Sequence, residues 1–220
     1  RKIQRFDSVR DSLDLALILP DFRAFLAIVE QNAPNALAEA ARELAGRTSE
    51  VWAASLTEYW KIGGRGEEPI GAFEQFFPRA LLQPYAAYLA RMTAVAPLHE
   101  TPHACPLCGG QPLLGVLRLE GDGGKRFMVC SFCGYEWAFQ RILCPTCGEV
   151  EEAKLPVYVA EQFPHIRVEA CESCKFFIRT IDLTKDGHAV PVVDDLAALP
   201  LTLWADEHGY RRQQSNLLGS

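Results

Sequence analysis

Apolar residues in the first hundred positions recur at helical spacing. Phe22, Phe25, Leu26 and Val29 lie three, four and seven residues apart after Pro20, the period of a single buried helix face, so residues 21–32 are expected to be helical with Asp21 as the cap. Pro34 resets the chain. Residues 35–45 then read as a second helix stopped by Gly46, and Thr48 is placed to cap a third, because its hydroxyl suits the free N–H groups of a helix start. That third helix carries Trp52, Leu56, Tyr59 and Trp60 and ends at Gly63 and Gly64. Further helix is expected over 70–77 and 79–92, with Pro84 threatening a kink. Residues 1–100 therefore read as a small all-α helical bundle. Its aromatic stripe is first a core feature and only second a groove. The glycine cluster at 63–66 lacks the spacing and the Lys-Ser/Thr ending of a phosphate loop, which leaves a turn.

Past residue 100 the period shortens. Strand-like runs at 113–119 and 126–129 flank a glycine-rich turn at 121–124, and a second pair of runs follows at 156–160 and 166–170. Aromatic-rich strands at 135–139 and 176–181 close the two sets. Near the end, an acidic pair, Asp194 and Asp195, precedes an apolar run that would be helical to residue 208 but for Pro200. Such a pair is first a helix cap and second a docking site.

The runs are punctuated by cysteines. All eight lie between Cys105 and Cys174, as four C-x2-C pairs: Cys105/Cys108, Cys130/Cys133, Cys144/Cys147 and Cys171/Cys174. Two residues between thiolates let a tight turn point both sulfurs at one ion, and two such turns complete a tetrahedral site. A disulfide framework suits small secreted domains, and a redox dithiol suits one isolated pair; four regularly spaced pairs in a chain long enough to build a core favour metal over both. An internal repeat assigns the pairs. Both units open with Cys-Pro-x-Cys-Gly, at 105–109 and 144–148, and Cys105 to Cys144 spans 39 residues where Cys130 to Cys171 spans 41. The expected ligand sets are thus tandem: Cys105, Cys108, Cys130 and Cys133 on one ion, Cys144, Cys147, Cys171 and Cys174 on the other. Gly109, Gly134 and Gly148 follow three of the pairs, where a positive φ is expected. Lys175 stands in the fourth place, either as a solvated lysine or as an offset to thiolate charge.

Four thiolates suit zinc and also a single iron of the rubredoxin type. Either leaves no open coordination position. No Gly-x-Ser-x-Gly elbow or His-Glu-x-x-His motif is present, so the expectation is a protein that is not an enzyme. His99 and His103, close before Cys105, are not needed as ligands; His165, His188 and His208 fall in no pattern. Charge narrows the partners. There are 22 basic and 28 acidic residues, with 11 and 15 of them in residues 101–220. Two filled tetrathiolate sites bring that half to about −8, a poor surface for phosphates, so nucleic-acid binding is not expected. Nor is membrane insertion. The longest apolar run, at 13–19, contains Asp14 and stops at Pro20, far short of a span of about 20 residues. With no signal-peptide pattern, the chain reads as cytoplasmic.

The second half also resembles the formate dehydrogenase accessory protein family, FdhE. The resemblance rests on the four spaced C-x2-C pairs, on Glu136-Trp137 with Arg141 three residues before Cys144, on the run 193–197, and on Glu207-His-Gly-Tyr210 followed by Asn216. It implies an α+β multidomain fold: an N-terminal all-α bundle (1–100), two tandem rubredoxin-like or zinc-ribbon-like tetrathiolate modules (101–143 and 144–190) and a C-terminal helix and tail (191–220). It implies a maturation chaperone for respiratory formate dehydrogenase that binds the catalytic subunit and is not itself catalytic. Iron is the metal the family favours, with zinc the alternative. A rubredoxin-like electron carrier and a zinc-ribbon nucleic-acid module are the competing functions. Trp137 and Arg141 are open to two readings, a partner-facing patch or a seal between modules with the arginine neutralising thiolates.

Overall fold

A computed structural model of the chain describes residues 8–65, 73–93, 101–120 and 123–216. His99, Gly66, the expected helix start at 70–72 and the first two residues of the turn at 121–124 lie outside the described residues.

Among the described residues, four helices form the first layer: α1 (Leu15–Asn32), α2 (Asn35–Ala45), α3 (Ser49–Ile62) and α4 (Phe73–Met92). The second and third fall where the periodicity puts them, with Gly46 and Thr48 at the expected ends. The first starts six residues earlier than expected. Asp14 caps it, its Oδ1 accepting from the Leu17 N–H at 3.3 Å, and Pro20 lies inside it. The proline sacrifices one backbone bond, but only an uninterrupted helix puts Ile18 on the same buried stripe as Phe22, Leu26 and Val29. The two helices expected over 70–92 are likewise one, with Pro78 and Pro84 inside α4. Its buried residues Phe77, Leu82, Ala86, Leu89 and Ala90 run past both prolines. Burial outweighs local preference in both cases.

Among the described residues, seven strands make one sheet: β1 (Pro112–Glu120), β2 (Gly123–Cys130), β3 (Glu136–Ala138), β4 (Val157–Val159), β5 (Ile166–Ala170), β6 (Phe176–Asp182) and β7 (Arg211–Arg212). The order is β3-β2-β1-β6-β5-β4, with β7 also on β6. Each cysteine unit is an antiparallel meander, as the runs predict. The join between them is a finding of the structure. β1 and β6 pair in parallel through Gly115–Thr180, Val116–Ile181 and Leu117–Asp182. A Cβ on Gly115 would sit 2.3 Å from Thr180 Oγ1, so glycine is what lets the two strands approach.

The two units are buried against different partners. One core runs from the helices into the first unit, joining Phe22, Leu56, Trp60 and Leu82 to Leu107, Met128, Phe132 and Trp137. A second joins Ile166, Val168, Phe177 and Ile181 to Ala198, Leu201 and Ala205, the last two on α6 (Leu199–Glu207), which follows α5 (Pro191–Ala197). The break at Ala198 falls beside Pro200, as the sequence suggests. The acidic pair divides its duties. Asp194 Oδ2 accepts from the Val190 N–H at 2.7 Å, a capping bond. Asp195 is not a cap: it is fully buried, paired with Arg179 at 2.9 Å and Arg212 at 2.7 Å, and it accepts from Asn216 Nδ2 at 3.3 Å. Burial, with Arg212 adding to it, lowers the Arg179 guanidinium to about 10 against the pull of Asp195. This network pins the tail to β6.

Candidate metal centres

Each cysteine turn is the same local object. The N–H of the residue after the second cysteine returns to the carbonyl of the first: Gly109 to Cys105 at 2.8 Å, Gly134 to Cys130 at 3.2 Å, Gly148 to Cys144 at 3.1 Å and Lys175 to Cys171 at 2.8 Å. All four returning residues have positive φ, 68°, 67°, 79° and 61° in chain order. Lys175 alone holds that conformation with a side chain. Its Nζ turns to Glu172 and lies over the Tyr210 ring, not toward the sulfurs.

The turns converge in the expected pairs. The sulfurs of Cys105, Cys108, Cys130 and Cys133 lie within 4.8 Å of one another, as do those of Cys144, Cys147, Cys171 and Cys174. Neighbouring sulfurs stand at 3.6 Å (Cys105–Cys133), 3.4 Å (Cys108–Cys130), 3.7 Å (Cys144–Cys174) and 3.6 Å (Cys147–Cys171). A disulfide needs about 2.05 Å, whereas a tetrahedral ion with metal–sulfur bonds of about 2.3 Å spaces its sulfurs about 3.8 Å apart. Ionisation argues the same way. Hydrogen bonds from Cys105, Cys130 and Cys133 hold the Cys108 thiol far below its ordinary range, while burial drives Cys130 well above it. Four thiolates packed this closely repel one another, and a cation among them relieves that repulsion. The donor sets fit a metal, and each can hold one ion.

The surroundings of the two centres differ. Cys105, Cys108, Cys130 and Cys133 are all buried, whereas Cys147 is exposed and Cys174 half-exposed. The helical layer grips the first centre. Val9 N–H donates to Leu107 O at 3.0 Å, and Gln83 Nε2 to Ser131 O at 2.6 Å. Arg10 Nε donates to Cys108 O at 3.0 Å, while its two terminal nitrogens donate to the Trp60 and Gly63 carbonyls. The same guanidinium lies 3.7 Å from the Phe132 ring centre, with Trp60 edge-on to that ring at 5.2 Å. Burial lowers the Arg10 value, opposed by the nearby Cys108, Cys130 and Cys133 sulfurs. Arg65 adds a second donor to Cys108 O at 3.3 Å. None of Val9, Arg10, Arg65 or Gln83 carries a motif that would single it out; only the density of cysteine carbonyls needing donors could have hinted at them.

The remaining expected residues fall as follows. Trp137 is buried in the core shared by the helices and the first unit and donates from Nε1 to Pro102 O at 3.0 Å, a structural place and not an exposed patch. Arg141 is exposed, 3.4 Å from Gly124 O, at a cleft beside Cys144 and Cys171. His103 is no ligand: its Nδ1 lies 3.1 Å from Pro145 O and its ring stands edge-on to Phe139. His165 pairs with Asp194 at 2.9 Å, and His208 stacks on Trp204.

A four-helix layer docked on one of two four-cysteine units, both in a single sheet, defines a bipartite tetracysteine protein with two metal-binding groups. Comparison with known proteins sharpens that class. Residues 104–141 match the family model described as FdhE, central domain, and residues 142–218 match FdhE, C-terminal domain. The chain belongs to the FdhE family. It is 34% identical over 146 residues to Protein FdhE homolog of Aquifex aeolicus, covering 66% of this chain and 52% of that one. With the Pseudomonas aeruginosa homolog it shares 31% over 195 residues, 84% of this chain and 60% of the other. The crystal structure of the FdhE protein from Pseudomonas aeruginosa superposes with a TM-score of 0.72 at 29% identity, over 96% of this chain and 71% of that one. The chain thus spans about half to three-fifths of the length of these curated relatives. Among the described residues no helix is long and apolar enough to cross a membrane.

Proposed function

We propose that this chain is an accessory factor in the maturation of respiratory formate dehydrogenase, acting in the cytoplasm by binding the catalytic subunit and not itself catalytic. Cys105, Cys108, Cys130 and Cys133 hold one metal ion in this reading, and Cys144, Cys147, Cys171 and Cys174 the other. Iron is preferred to zinc on family grounds. The observation that carries the proposal is the pair of four-sulfur clusters built into one sheet, in a chain matched from 104 to 218 by the two FdhE domains. Four cysteines close the coordination shell, so bound metal supplies shape or electron transfer and leaves no position for substrate. Exposed apolar side chains on α5 and α6, among them Val192, Val193, Leu199 and Leu203, offer contact area to a client subunit.

The test is co-purification with the catalytic subunit from the same organism, before and after that subunit receives its cofactors, with metal content and visible spectrum taken on the same sample. A complex that prefers the immature subunit is the expected result. Absence of a complex with either form, in a folded and metal-replete sample, would refute the accessory role. An electron carrier is the second reading, favoured by the exposure of Cys147. It requires reversible reduction and a measurable rate with a reductase.

A further inference from the structure

The unequal enclosure of the two clusters separates their chemistry. Both turns of the first are tied to the helical layer, the 105–108 turn through Val9 and Arg10 and the 130–133 turn through Gln83. Its four cysteines are 2–3% exposed. An outside donor reaches them only after the helices lift from the sheet, which means exposing Trp60, Phe132 and the core around them. The second cluster needs no such opening. Cys147 is exposed, and the turns around it are tied to one another, to the first unit and to the tail, with the helical layer taking no part in these bonds: Ser173 Oγ donates to Glu149 Oε2 at 2.5 Å, Lys175 pairs with Glu172, His103 Nδ1 lies 3.1 Å from Pro145 O, and Arg211 N–H donates to Lys175 O at 2.8 Å. From another side, a cleft of about 360 Å³ runs up to Cys144 and Cys171, with Arg141 exposed at its rim. An arginine there attracts an anionic donor, and soft thiolate ligands are matched by soft incoming donors.

We infer that the second cluster is an exchange site open to external thiolates and the first a permanent one, with Cys147 the ligand displaced first. The inference rests on the reading that both clusters hold metal. The incoming thiol gives up one proton as it binds, and the displaced Cys147 thiolate takes one up, so no oxidant or reductant is involved. Local opening, where it suffices, is far less costly than separating packed layers.

The experiment uses the full chain loaded with zinc, challenged with a chromophoric chelator in the presence of a small thiol. Release of one equivalent about 100-fold faster than the other is expected. Cys147→Ser should remove the fast equivalent and keep the slow one, whereas Gln83→Ala should speed the slow equivalent about tenfold and leave the fast one unchanged. A single release phase for both equivalents overturns the inference, as does a fast phase that survives Cys147→Ser. A chain whose eight thiols all react freely after zinc loading overturns the metal reading as well, which separates the two failures.

Discussion

The two cysteine clusters are close copies as local structures and opposites as environments. Their turns share one hydrogen-bond plan, their sulfurs one spacing, and their strands one sheet. Yet the first is a joint between layers, and the second has one exposed and one half-exposed cysteine. A repeated ligand motif therefore reports the metal coordination but not its consequence, which depends on what the rest of the chain places over it. Here the repeat has been divided into a piece that assembles the fold and a piece left accessible.

Loss of one ligand from each cluster is the strongest way to break this contrast. Structural zinc contributes about 10–16 kcal/mol to folding of small peptides, so either loss is severe locally, but its reach should differ. Cys108→Ser is expected to unfold the first unit and release the helical layer packed on it, seen as loss of cooperative thermal unfolding by circular dichroism. Cys147→Ser should leave the helical signal and the near-ultraviolet signature of Trp60 against Phe132 in place. Equal damage from both substitutions would mean the helices do not depend on the first cluster in particular.

Arg10→Ala sharpens the contrast without touching a ligand. It strips donors from the carbonyls of Trp60, Gly63 and Cys108 and removes the cation from the Phe132 face. Each charged hydrogen bond is worth about 1.5–3 kcal/mol, and the ring contact about 1 kcal/mol. With partial compensation by water, a loss of about 3 kcal/mol in urea unfolding is expected, with the metal content of the second cluster unchanged.

Much of the fold and of the cysteine pairing was legible in the sequence, but the division between the clusters was not, and the reasons are physical. The pairing of the C-x2-C turns was readable because the two units repeat the same turn at the same spacing. Helices α2 and α3 were readable because their apolar stripes and their breaks at Pro34, Gly46 and Gly63 agree, although the Thr48 hydroxyl expected to cap α3 makes no capping bond. What escaped was set by distant burial: Pro20, Pro78 and Pro84 are carried inside helices because the stripes on either side share a core. Arg10 escaped because a lone arginine before a helix gives no sign that three carbonyls from two other segments await it. The parallel join of β1 to β6 hangs on Gly115, which in the sequence is one glycine among 16.

The seam at that join offers a pH test. Asp182 is fully buried at the end of β6, bonded to Arg167 at 2.5 Å and to Thr184 Oγ1 at 2.5 Å. Burial opposes its ionisation, but those partners together hold its carboxyl below the ordinary value. A carboxylate lowered on folding stabilises above its unfolded pKa of about 3.9, and the contribution is lost as pH falls through the lower folded value. Asp182→Asn should cost about 2 kcal/mol at neutral pH, with the gap from the parent closing below about pH 4. Acid also strips thiolate sites, but it does so in both proteins, so the difference isolates the carboxylate. A gap unchanged into acid would exclude Asp182 as the titrating group.

The smallest expected effect lies at the one turn that lacks glycine. A left-handed residue with a Cβ costs about 1–2 kcal/mol, and Lys175 bears that cost at φ 61° where the other three turns avoid it. In return its side chain reaches Glu172 and the Tyr210 ring, and its carbonyl accepts from Arg211 N–H at 2.8 Å, joining the turn to β7. Lys175→Gly relieves the strain but frees the unfolded chain and drops the side-chain contacts, for a net gain of about 0.5 kcal/mol. Lys175→Ala keeps the strain and loses the contacts, so it should be the less stable of the two and the faster to release metal from the second cluster. The reverse order would show that the exposed lysine's contacts outweigh the backbone, and that the open cluster is held together by its surface more than by its turn.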